Sequence, residues 1–225
     1  DYCAPLPDIV TAVAHPCDEP SLTAAVEAAE ASLILPILVG PADKIRATAD
    51  KYQIDIGPFE IVDVPHSHAA AAKAVELVRN GQAEVLMKGS LHTDELMHEA
   101  MRAETGIRTE RRISHVFCMD VPSYHKLLLV TDAAINIYPA LDDKRDICQN
   151  AIDLARILGI ERPKVAILSA VETISVKIAS TTEAASLCKL ADRGQIVGGL
   201  LDGPLAMDNA ISKVAAEIKG IKSEV

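Results

Sequence analysis

The sequence of 225 residues contains few aromatic side chains: phenylalanine, tyrosine and tryptophan make up 3% of it, and tryptophan is absent. Hydrophobic residues nevertheless make up 49%, so the core must consist of alanine, valine, isoleucine and leucine. Those side chains usually fill the space between helices and a parallel β-sheet. The composition therefore favours an α/β protein with room for one large or two small domains.

The sequence also lacks a basic run and a long apolar run. It has 22 Lys and Arg residues against 32 Asp and Glu residues, which gives a formal net charge of −10. Nucleic acid is not an expected partner, because neutralising phosphates requires clustered Lys and Arg. No apolar stretch approaches the length of a membrane span, and no signal peptide opens the sequence. We therefore predict a cytoplasmic protein without a membrane partner.

Cysteine usage is sparse and unpaired. The sequence has five cysteines, an odd number, and no Cys-x-x-Cys pair. That usage suits a reducing compartment, in which cysteines act mostly as small core residues. The five are Cys3, Cys17, Cys118, Cys148 and Cys188.

Nucleotide-binding motifs are absent as well. Gly194, Gly198, Gly199 and Gly203 do not form G-x-G-x-x-G. The Met-Lys-Gly-Ser run at 87–90 lacks the upstream glycine of a Walker loop. Neither pattern supports a bound nucleotide cofactor.

Three histidines are the candidate ligands for a metal. His66 and His68 flank Ser67, and His92 could complete a three-histidine site. Ser67, however, is well placed as a helix cap, and histidines beside such a helix start are common. We therefore predict no metal site.

Strand and helix patterns alternate along the first part of the chain. Each short apolar run precedes a helical pattern, which is repeated βαβ and predicts a largely parallel sheet covered on both faces. After residue 113 two short strands follow each other with a connection too short for a crossover helix, so we predict an antiparallel pair. The change of pattern after Asp132 predicts domains of residues 1–132 and 133–225. The predicted strands are 9–14, 36–40, 59–64, 84–87, 113–119, 127–130, 165–169 and 196–201.

The most informative stretch is 84–95, where a short apolar run ends in Lys-Gly-Ser-Leu-His-Thr and a helical pattern begins. Gly89 lets the backbone approach a ligand, and the first N–H groups of the helix are unpaired and carry partial positive charge. Thr93 acting only as an N-cap is the simpler interpretation. Capping alone does not require Lys88, Ser90 and His92 at the same strand end, so we predict a site for an anionic group.

Polar residues gather at three other predicted strand ends. Arginines at 108, 111 and 112 precede a strand, with Ser114 and His115 beside them, and their planar groups suit a phosphate. The alternative is a solvated loop with scattered charges. Thr131 and Asp132 follow one strand, and Asp-Gly-Pro at 202–204 follows another. Asp208 is either the N-cap of the last helix, which we favour, or a site residue.

Five segments, in matching order and spacing across nearly the whole chain, resemble the phosphate acetyl/butyryltransferase family. Gly-Pro-Leu-Ala-Met-Asp-Asn-Ala at 203–210 is similar to the butyryltransferase-like branch. The resemblance implies reversible transfer of an acetyl or butyryl group between coenzyme A and inorganic phosphate, without a metal or prosthetic group. The segments are 88–93, 112–116, 129–136, 164–172 and 191–212.

The resemblance also implies a fold. It predicts two α/β domains with mostly parallel sheets and an interdomain cleft, like those of isocitrate and isopropylmalate dehydrogenases. A similar module occurs fused behind an enoyl-CoA hydratase domain, so a hydratase is an expected fusion or partner. Family members continue past the position of Val225 with a segment that carries binding and base residues. Without it the first domain would expose an apolar patch, so we predict a homodimer or a longer molecule.

The residue roles follow from the resemblance. Ser90, His92 and Thr93 are predicted to hold the phosphoryl group or the oxyanion that develops during transfer. No residue is identified as the base that deprotonates coenzyme A, and His115 is a substitute candidate. The residues predicted to bind substrate are Lys88, Gly89, Arg112, Ser114, Thr131, Asp132, Asp202 and Gly203.

Two alternative functions remain open. One is a metal- and NAD-dependent decarboxylating dehydrogenase of the same fold, although its aspartate cluster and Tyr-Lys pair are not found in the expected arrangement. The other is a non-catalytic module that binds acyl-CoA or takes part in assembly. It predicts coenzyme A binding without thioester formation.

Overall fold

The computed structural model describes residues 5–225 and divides into two compact units, one ending at Thr109 and the other beginning at Glu110. The predicted boundary at Asp132 lies inside the second unit. The assignment of residues 1–132 and 133–225 to domains stays a prediction. Cys3 lies outside the described residues.

Unit 1 contains a single parallel sheet with the strand order β3-β2-β1-β4. The chain adds β2 and β3 on one side of β1 and then returns to add β4 on the other side. The strand order therefore reverses between β1 and β4. The elements are β1 (Ile9–Ala14), α1 (Glu19–Glu30), β2 (Ile34–Gly40), α2 (Ala42–Tyr52), β3 (Glu60–Asp63), α3 (Ser67–Arg79), β4 (Val85–Lys88) and α4 (Thr93–Ala100).

The core of unit 1 lies on both faces of this sheet and contains the small aliphatic side chains that the composition predicts. One cluster includes Val13, Leu22 and Ile45, and the other includes Ala70 and Ala74, all of them fully buried. Alanines on α3 let that helix approach the sheet closely, because they add little volume. The strand ends of unit 1 are fixed by this packing.

Two helix starts in unit 1 differ from the sequence prediction. Ser67 is the first residue of α3 and not its cap; the cap is His66, whose Nδ1 accepts from the Ala69 N–H at 3.1 Å. The N-cap position of α4 is His92 and not Thr93, and no side chain caps that helix. A capping role therefore does not explain Thr93.

Unit 2 contains two small sheets. Strands β5 and β6 form an antiparallel pair, as predicted, and β7 and β8 form a separate parallel pair. A core cluster of Cys148, Ile152, Leu187 and Ile196 joins α5 and α6 to the second pair. The elements are β5 (Val116–Met119), β6 (Leu128–Thr131), α5 (Leu141–Ile157), β7 (Lys164–Leu168), α6 (Ala179–Asp192), β8 (Leu200–Leu205), α7 (Met207–Ile211) and α8 (Lys213–Ile218).

The predicted dehydrogenase-like fold is wrong. Residues 5–225 form an α/β structure with three separate sheets of mixed type: a parallel sheet of four strands, an antiparallel pair and a parallel pair. Within residues 110–225, unit 2 has no continuous parallel sheet: β5 and β6 run in opposite directions, and β7 and β8 form a separate pair. The connection between β5 and β6 is too short for a parallel crossover.

The last strand and helix of unit 2 were also predicted with wrong bounds. Strand β8 begins at Leu200 and continues to Leu205, because Gly198 has a φ of +85° that ends extended structure before it. The predicted final helix is two short helices that meet at Ser212, whose side chain accepts from the Ala215 N–H. Asp208 is not an N-cap; its carboxylate bonds Lys219 at 3.1 Å.

The described cysteines differ in burial and form no disulfide among themselves. Cys148 is buried, Cys17 and Cys188 are half-buried, and Cys118 is exposed. The prediction of cysteines as core residues therefore fits Cys148 best and does not fit Cys118. Within residues 5–225, no helix has the length and apolar character needed to cross a membrane.

Candidate active site

The switch in strand order places two loops side by side at the carboxyl edge of the unit 1 sheet. Strand β1 ends at Ala14 and its neighbour β4 ends at Lys88, with Ala14 and Lys88 paired in register. Ligands of open α/β sheets usually bind in the crevice outside such a switch point. The stretch predicted from sequence follows β4, and the loop that begins at His15 follows β1.

Gly89 is required by the contact between these two loops. Its N–H donates to the Ala14 carbonyl at 2.8 Å. A Cβ at this position would lie 2.5 Å from that carbonyl oxygen and 2.7 Å from the His15 carbonyl oxygen. Real Cβ atoms do not approach backbone oxygens so closely, so only glycine fits. The structural reason for the glycine is backbone packing, and its role in binding substrate stays a prediction.

Ser90 ties the two loops together. Its N–H and its hydroxyl both bond the His15 carbonyl, at 2.9 and 2.8 Å. The same hydroxyl oxygen accepts from the Cys17 N–H at 3.1 Å. Ser90 therefore holds the β1 loop in place, a role that the sequence prediction did not include. Its predicted role towards substrate is untested.

His92 and Thr93 lie at the open N-terminus of α4, and both are exposed. The unpaired N–H groups of the first turn can receive an anion. Asp94 and Glu95 occupy the same turn and offset part of its positive potential. Lys88 is exposed and its Nζ donates to the Gly89 carbonyl at 3.2 Å. The predicted residues of this stretch thus share one loop.

Cys17 is the one thiol beside this loop in the described part of unit 1, and its burial makes it a weak nucleophile. Burial raises the pKa of its thiol to about 11, although Lys44 acts in the opposite direction. A thiol with that pKa is protonated at neutral pH, and the thiolate is the reactive form. Acyl transfer through a cysteine at this position is therefore disfavoured.

The other predicted residues belong to unit 2, where Arg112 is held from two sides. Its N–H donates to Asp146 Oδ2 at 2.9 Å, and its Nε donates to Asn136 Oδ1 at 2.7 Å. Asp143 lies 3.8 Å from Nε, and the side chain is half exposed. Within the described residues, its two terminal amino groups make no hydrogen bond, so they remain available to an anion. Nearby Arg111 pairs with Asp153 at 2.5 Å.

Ser114 and Thr131 also make hydrogen bonds close to Arg112. Asn150 Nδ2 donates to both the Arg112 carbonyl and Ser114 Oγ, each at 2.9 Å. Thr131 Oγ1 donates to the His115 carbonyl at 2.8 Å. Both hydroxyl groups therefore have structural partners, and substrate contacts for them stay predicted.

Asp132 organises the turn that follows β6. Its carboxylate accepts the N–H groups of Ala134, Ile135 and Asn136 at 3.0 to 3.1 Å, and the Asn136 side chain bonds it as well. Partial burial raises the pKa of Asp132, but these hydrogen bonds together outweigh burial and leave the pKa below its usual value. Asp132 thereby places Asn136 against Arg112. No sequence pattern identifies Asn136, Asn150 or Asp146 in this arrangement.

Replacing Asp132 with asparagine should remove a pH-dependent part of stability. Because its folded pKa is lowered, the ionised carboxylate stabilises the fold above its unfolded pKa of about 3.9, and that contribution is lost as the pH falls towards the folded pKa. We expect Asp132→Asn to unfold about 1–2 kcal/mol more easily at pH 7, and the difference from wild type to shrink below about pH 4. Chemical unfolding at several pH values measures this.

The matched control for that series is Asp120→Asn in the same unit, because Asp120 is exposed and makes no hydrogen bond with described residues. The free energy of unfolding of Asp120→Asn should equal that of wild type at every pH. A constant difference between Asp132→Asn and wild type down to the lowest pH would contradict the assigned role of the carboxylate.

Asp202 and Gly203 were predicted to lie at a strand end. In the structure they lie inside β8. Asp202 Oδ1 accepts the Gly203 N–H at 2.8 Å. A Cβ on Gly203 would lie 2.7 Å from the Ile167 carbonyl oxygen on the neighbouring strand, so the glycine is needed for strand packing. Their predicted contacts with substrate remain untested and have no geometric support in this position.

Unit 2 also contains a cavity of about 610 Å³ between β6, α5 and β7. Its walls are mainly apolar, with side chains such as Leu128, Ile147 and Ile167, and Thr131 and Asp132 also line it. A cavity of this volume is large enough for a drug-sized ligand. Its volume exceeds that of either an acetyl or a butyryl group.

Two compact α/β units, one with a polar loop at a switch point of a parallel sheet, define an α/β protein with a candidate site for an anionic ligand. Comparison with known proteins is more specific. The sequence profile of the phosphate acetyl/butaryl transferase family matches residues 66–225. A phosphate acetyltransferase of Rhizobium meliloti is 66% identical over 216 residues, which are 96% of this chain and 68% of that protein. The chain belongs to the phosphate acetyl/butaryl transferase family.

Two further relatives support the family assignment. A phosphate butyryltransferase of Clostridium acetobutylicum is 45% identical over 214 residues, 95% of this chain and 71% of that protein. A branched-chain phosphotransacylase from Enterococcus faecalis has a solved structure that matches with a TM-score of 0.79 and 27% identity, over 96% of this chain and 75% of that one. The chain spans 62% to 68% of the length of the acetyltransferases from Rickettsia felis and Rhizobium meliloti.

These relatives identify the enzyme class as acyltransferase, which confirms the sequence prediction. They give no support to the alternative of a metal- and NAD-dependent dehydrogenase. The solved structure from Enterococcus faecalis is that of a phosphotransacylase, which agrees with the correction of the dehydrogenase-like fold. Across the described residues, no group of three or more His, Cys, Asp or Glu side chains is arranged to hold a metal ion.

Proposed function

We propose that this protein catalyses the reversible reaction of an acyl-CoA with inorganic phosphate to give an acyl phosphate and coenzyme A. The observation that carries the proposal is the 66% identity to a phosphate acetyltransferase over 96% of the chain. The loop of Lys88, Gly89 and Ser90 at the switch point supports it, because such a loop suits an anionic group. Coenzyme A and phosphate are substrates in this proposal, and no cofactor is required.

The chemistry makes two demands on the protein. A phosphate oxygen attacks the thioester carbonyl, negative charge develops on the carbonyl oxygen, and the sulfur leaves and takes up the proton that phosphate gives up. Donors placed for the developing charge lower the barrier, and holding both reactants in line removes an entropic cost. His92, Thr93 and the open end of α4 are the donors that we assign to an oxyanion or phosphoryl group. Ser90 fixes the loop on which they stand.

Arg112 is proposed as a phosphate-binding residue of unit 2. Its half-exposed guanidinium has terminal amino groups without described protein partners, while Asn136 fixes its Nε at 2.7 Å. A planar guanidinium bonds two oxygens of a phosphate at once, which a lysine cannot reproduce. Asp143 and Asp146 lie nearby and neutralise part of its charge, which limits how strongly it attracts an anion.

The test of the proposed function is thioester formation by the purified full-length protein. When it is incubated with coenzyme A and an acyl phosphate, the protein should produce acyl-CoA. The product is detected by the absorbance of its thioester. Acetyl phosphate and butyryl phosphate should be compared, because the described cavity sets no limit on chain length. We expect turnover with at least one of them.

The control for the assay is His98→Ala, which changes an exposed residue of α4 that has no assigned role. It should match wild type. Binding of coenzyme A without any thioester from short acyl phosphates would contradict the proposal and favour a non-catalytic acyl-CoA-binding module. Cytoplasmic location, a homodimer and association with a hydratase domain stay predictions that this assay does not address.

A further inference from the structure

His15 lies directly after β1, on the opposite side of the switch point from the loop predicted by sequence. Its backbone has a φ of +56°, in the left-handed region that residues other than glycine rarely adopt. Its carbonyl accepts both the N–H and the hydroxyl of Ser90, at 2.9 and 2.8 Å. Because strain of this kind is retained where the surroundings fix it, the position of His15 is set by the Ser90 contacts.

The ring of His15 also meets Ser90. Its Nδ1 lies 3.3 Å from Ser90 Oγ. The hydroxyl has one proton, which serves the shorter bond to the His15 carbonyl, so in the neutral ring this geometry assigns the proton to Nδ1, which donates to the oxygen. In that tautomer Nε2 retains its lone pair and is a hydrogen-bond acceptor.

The second ring nitrogen of His15 has no hydrogen-bond partner in the described part of the chain. Among residues 5–225, Nε2 of His15 makes no hydrogen bond, and it is not one of the buried polar atoms that lack one. It is therefore accessible in a half-buried side chain. An acceptor at the crevice is unusual for a site that takes anions, since it favours only an anion that still carries a hydroxyl group.

We propose that His15 recognises the phosphate substrate, with Ser90 orienting the ring and Nε2 accepting a hydrogen bond from the hydroxyl of monohydrogen phosphate. The inference rests on the proposed function, because that function makes inorganic phosphate a substrate. It adds a selectivity: sulfate has the same shape and charge as monohydrogen phosphate but no hydroxyl at neutral pH. The site should therefore prefer phosphate to sulfate.

The test is equilibrium binding of inorganic phosphate and of sulfate, measured by titration calorimetry, together with the KM for phosphate in the transferase assay. His15→Asn is the informative variant, because asparagine tolerates the left-handed backbone and keeps a polar group near Ser90, but has nothing at the position of Nε2. We expect phosphate affinity to fall about tenfold, as for loss of one hydrogen bond to an ion. Sulfate affinity and the KM for acyl-CoA should stay within about twofold, because neither ligand uses this bond.

Two further variants separate recognition from a structural role. His15→Gln, whose longer side chain brings an amide oxygen towards the position of Nε2, should recover part of the phosphate affinity. His98→Asn, the same substitution at an exposed histidine of α4, should bind both anions like wild type. Thermal midpoints show whether His15→Asn is folded; if it is not, the phosphate-to-sulfate ratio of His15→Gln decides.

The outcomes distinguish this inference from the proposed function. Equal losses for phosphate and sulfate in His15→Asn, or no loss for either, would overturn the role of Nε2. If wild type transfers acyl groups and the His15 variants keep its KM for phosphate, the function stands and this inference fails. If wild type forms no thioester but its phosphate preference depends on His15, the inference stands and the proposed function fails.

Discussion

Replacing His92 with alanine should lower kcat/KM for acyl phosphate by about tenfold to a thousandfold, the range for removing a donor that stabilises developing charge. His92 occupies the N-cap position of α4 without a capping hydrogen bond, and its side chain is exposed. The fold therefore loses little when the ring is removed. Steady-state kinetics with a thermal midpoint close to wild type would show that the loss concerns catalysis and not folding.

Ser90→Ala tests the same loop with a different expected signature. It removes the hydroxyl that bonds the His15 carbonyl and the Cys17 N–H, so we expect a loss of stability of about 1 kcal/mol or more in addition to lower activity. His98→Ala is the control for both variants. Full activity in His92→Ala would show that the principal residue of this site is assigned incorrectly.

The alternation of strands and helices in unit 1 was predictable because each apolar run and each capping or glycine signal is local. Seven of the eight predicted strands have structural counterparts within three residues at either end, such as 36–40 against Ile34–Gly40. Strand β8 was misplaced because Gly198 and Gly199 look like part of an apolar run. The positive φ of Gly198, which ends that run, does not follow from the identity of its neighbours.

The predicted arrangement of sheets failed for a related reason. A connection too short for a crossover helix predicted correctly that β5 and β6 are antiparallel. The family resemblance nevertheless implies mostly parallel sheets in both domains. How the β5-β6 and β7-β8 pairs associate depends on long-range packing, which neither hydrophobic periodicity nor loop length encodes.

The candidate site was predicted where one segment carries the signal. The run from Lys88 to Thr93 is continuous in sequence, so its residues stay together in the structure. The partner of Ser90 is His15, which lies 75 residues earlier, and no local pattern connects them. Applying the strand-end rule to β1 as well as to β4 would have identified His15.

The network around Arg112 illustrates the same limit. Asp146 and Asn150 are polar positions of an amphipathic helix, where solvent exposure is the ordinary expectation. The structure uses both to hold the backbone of the 112–114 segment. Sequence identifies a functional residue by its type, whereas the residues that position it are recognisable only from their contacts.

Gly89→Ala should be the most destabilising of the substitutions considered. The added Cβ would lie 2.5 Å from the Ala14 oxygen and 2.7 Å from the His15 oxygen, and both are backbone atoms that no rotamer change can move. The end of β4 must shift away from β1, which breaks the bonds from the Gly89 and Ser90 N–H groups. We expect a loss of about 1–3 kcal/mol or more from overpacking, with about 1 kcal/mol for each broken bond.

Denaturant unfolding followed by circular dichroism measures this loss, since the sequence has no tryptophan to report by fluorescence. Gly57→Ala is the control: the added Cβ would lie 3.2 Å from a flexible side-chain oxygen of Asp55, so its stability should stay within about 0.5 kcal/mol of wild type. Equal stabilities for the two variants would mean that the β1 and β4 loops are not in contact. Because His15 and Ser90 meet only through that contact, phosphate preference should be lost along with stability in Gly89→Ala and retained in Gly57→Ala.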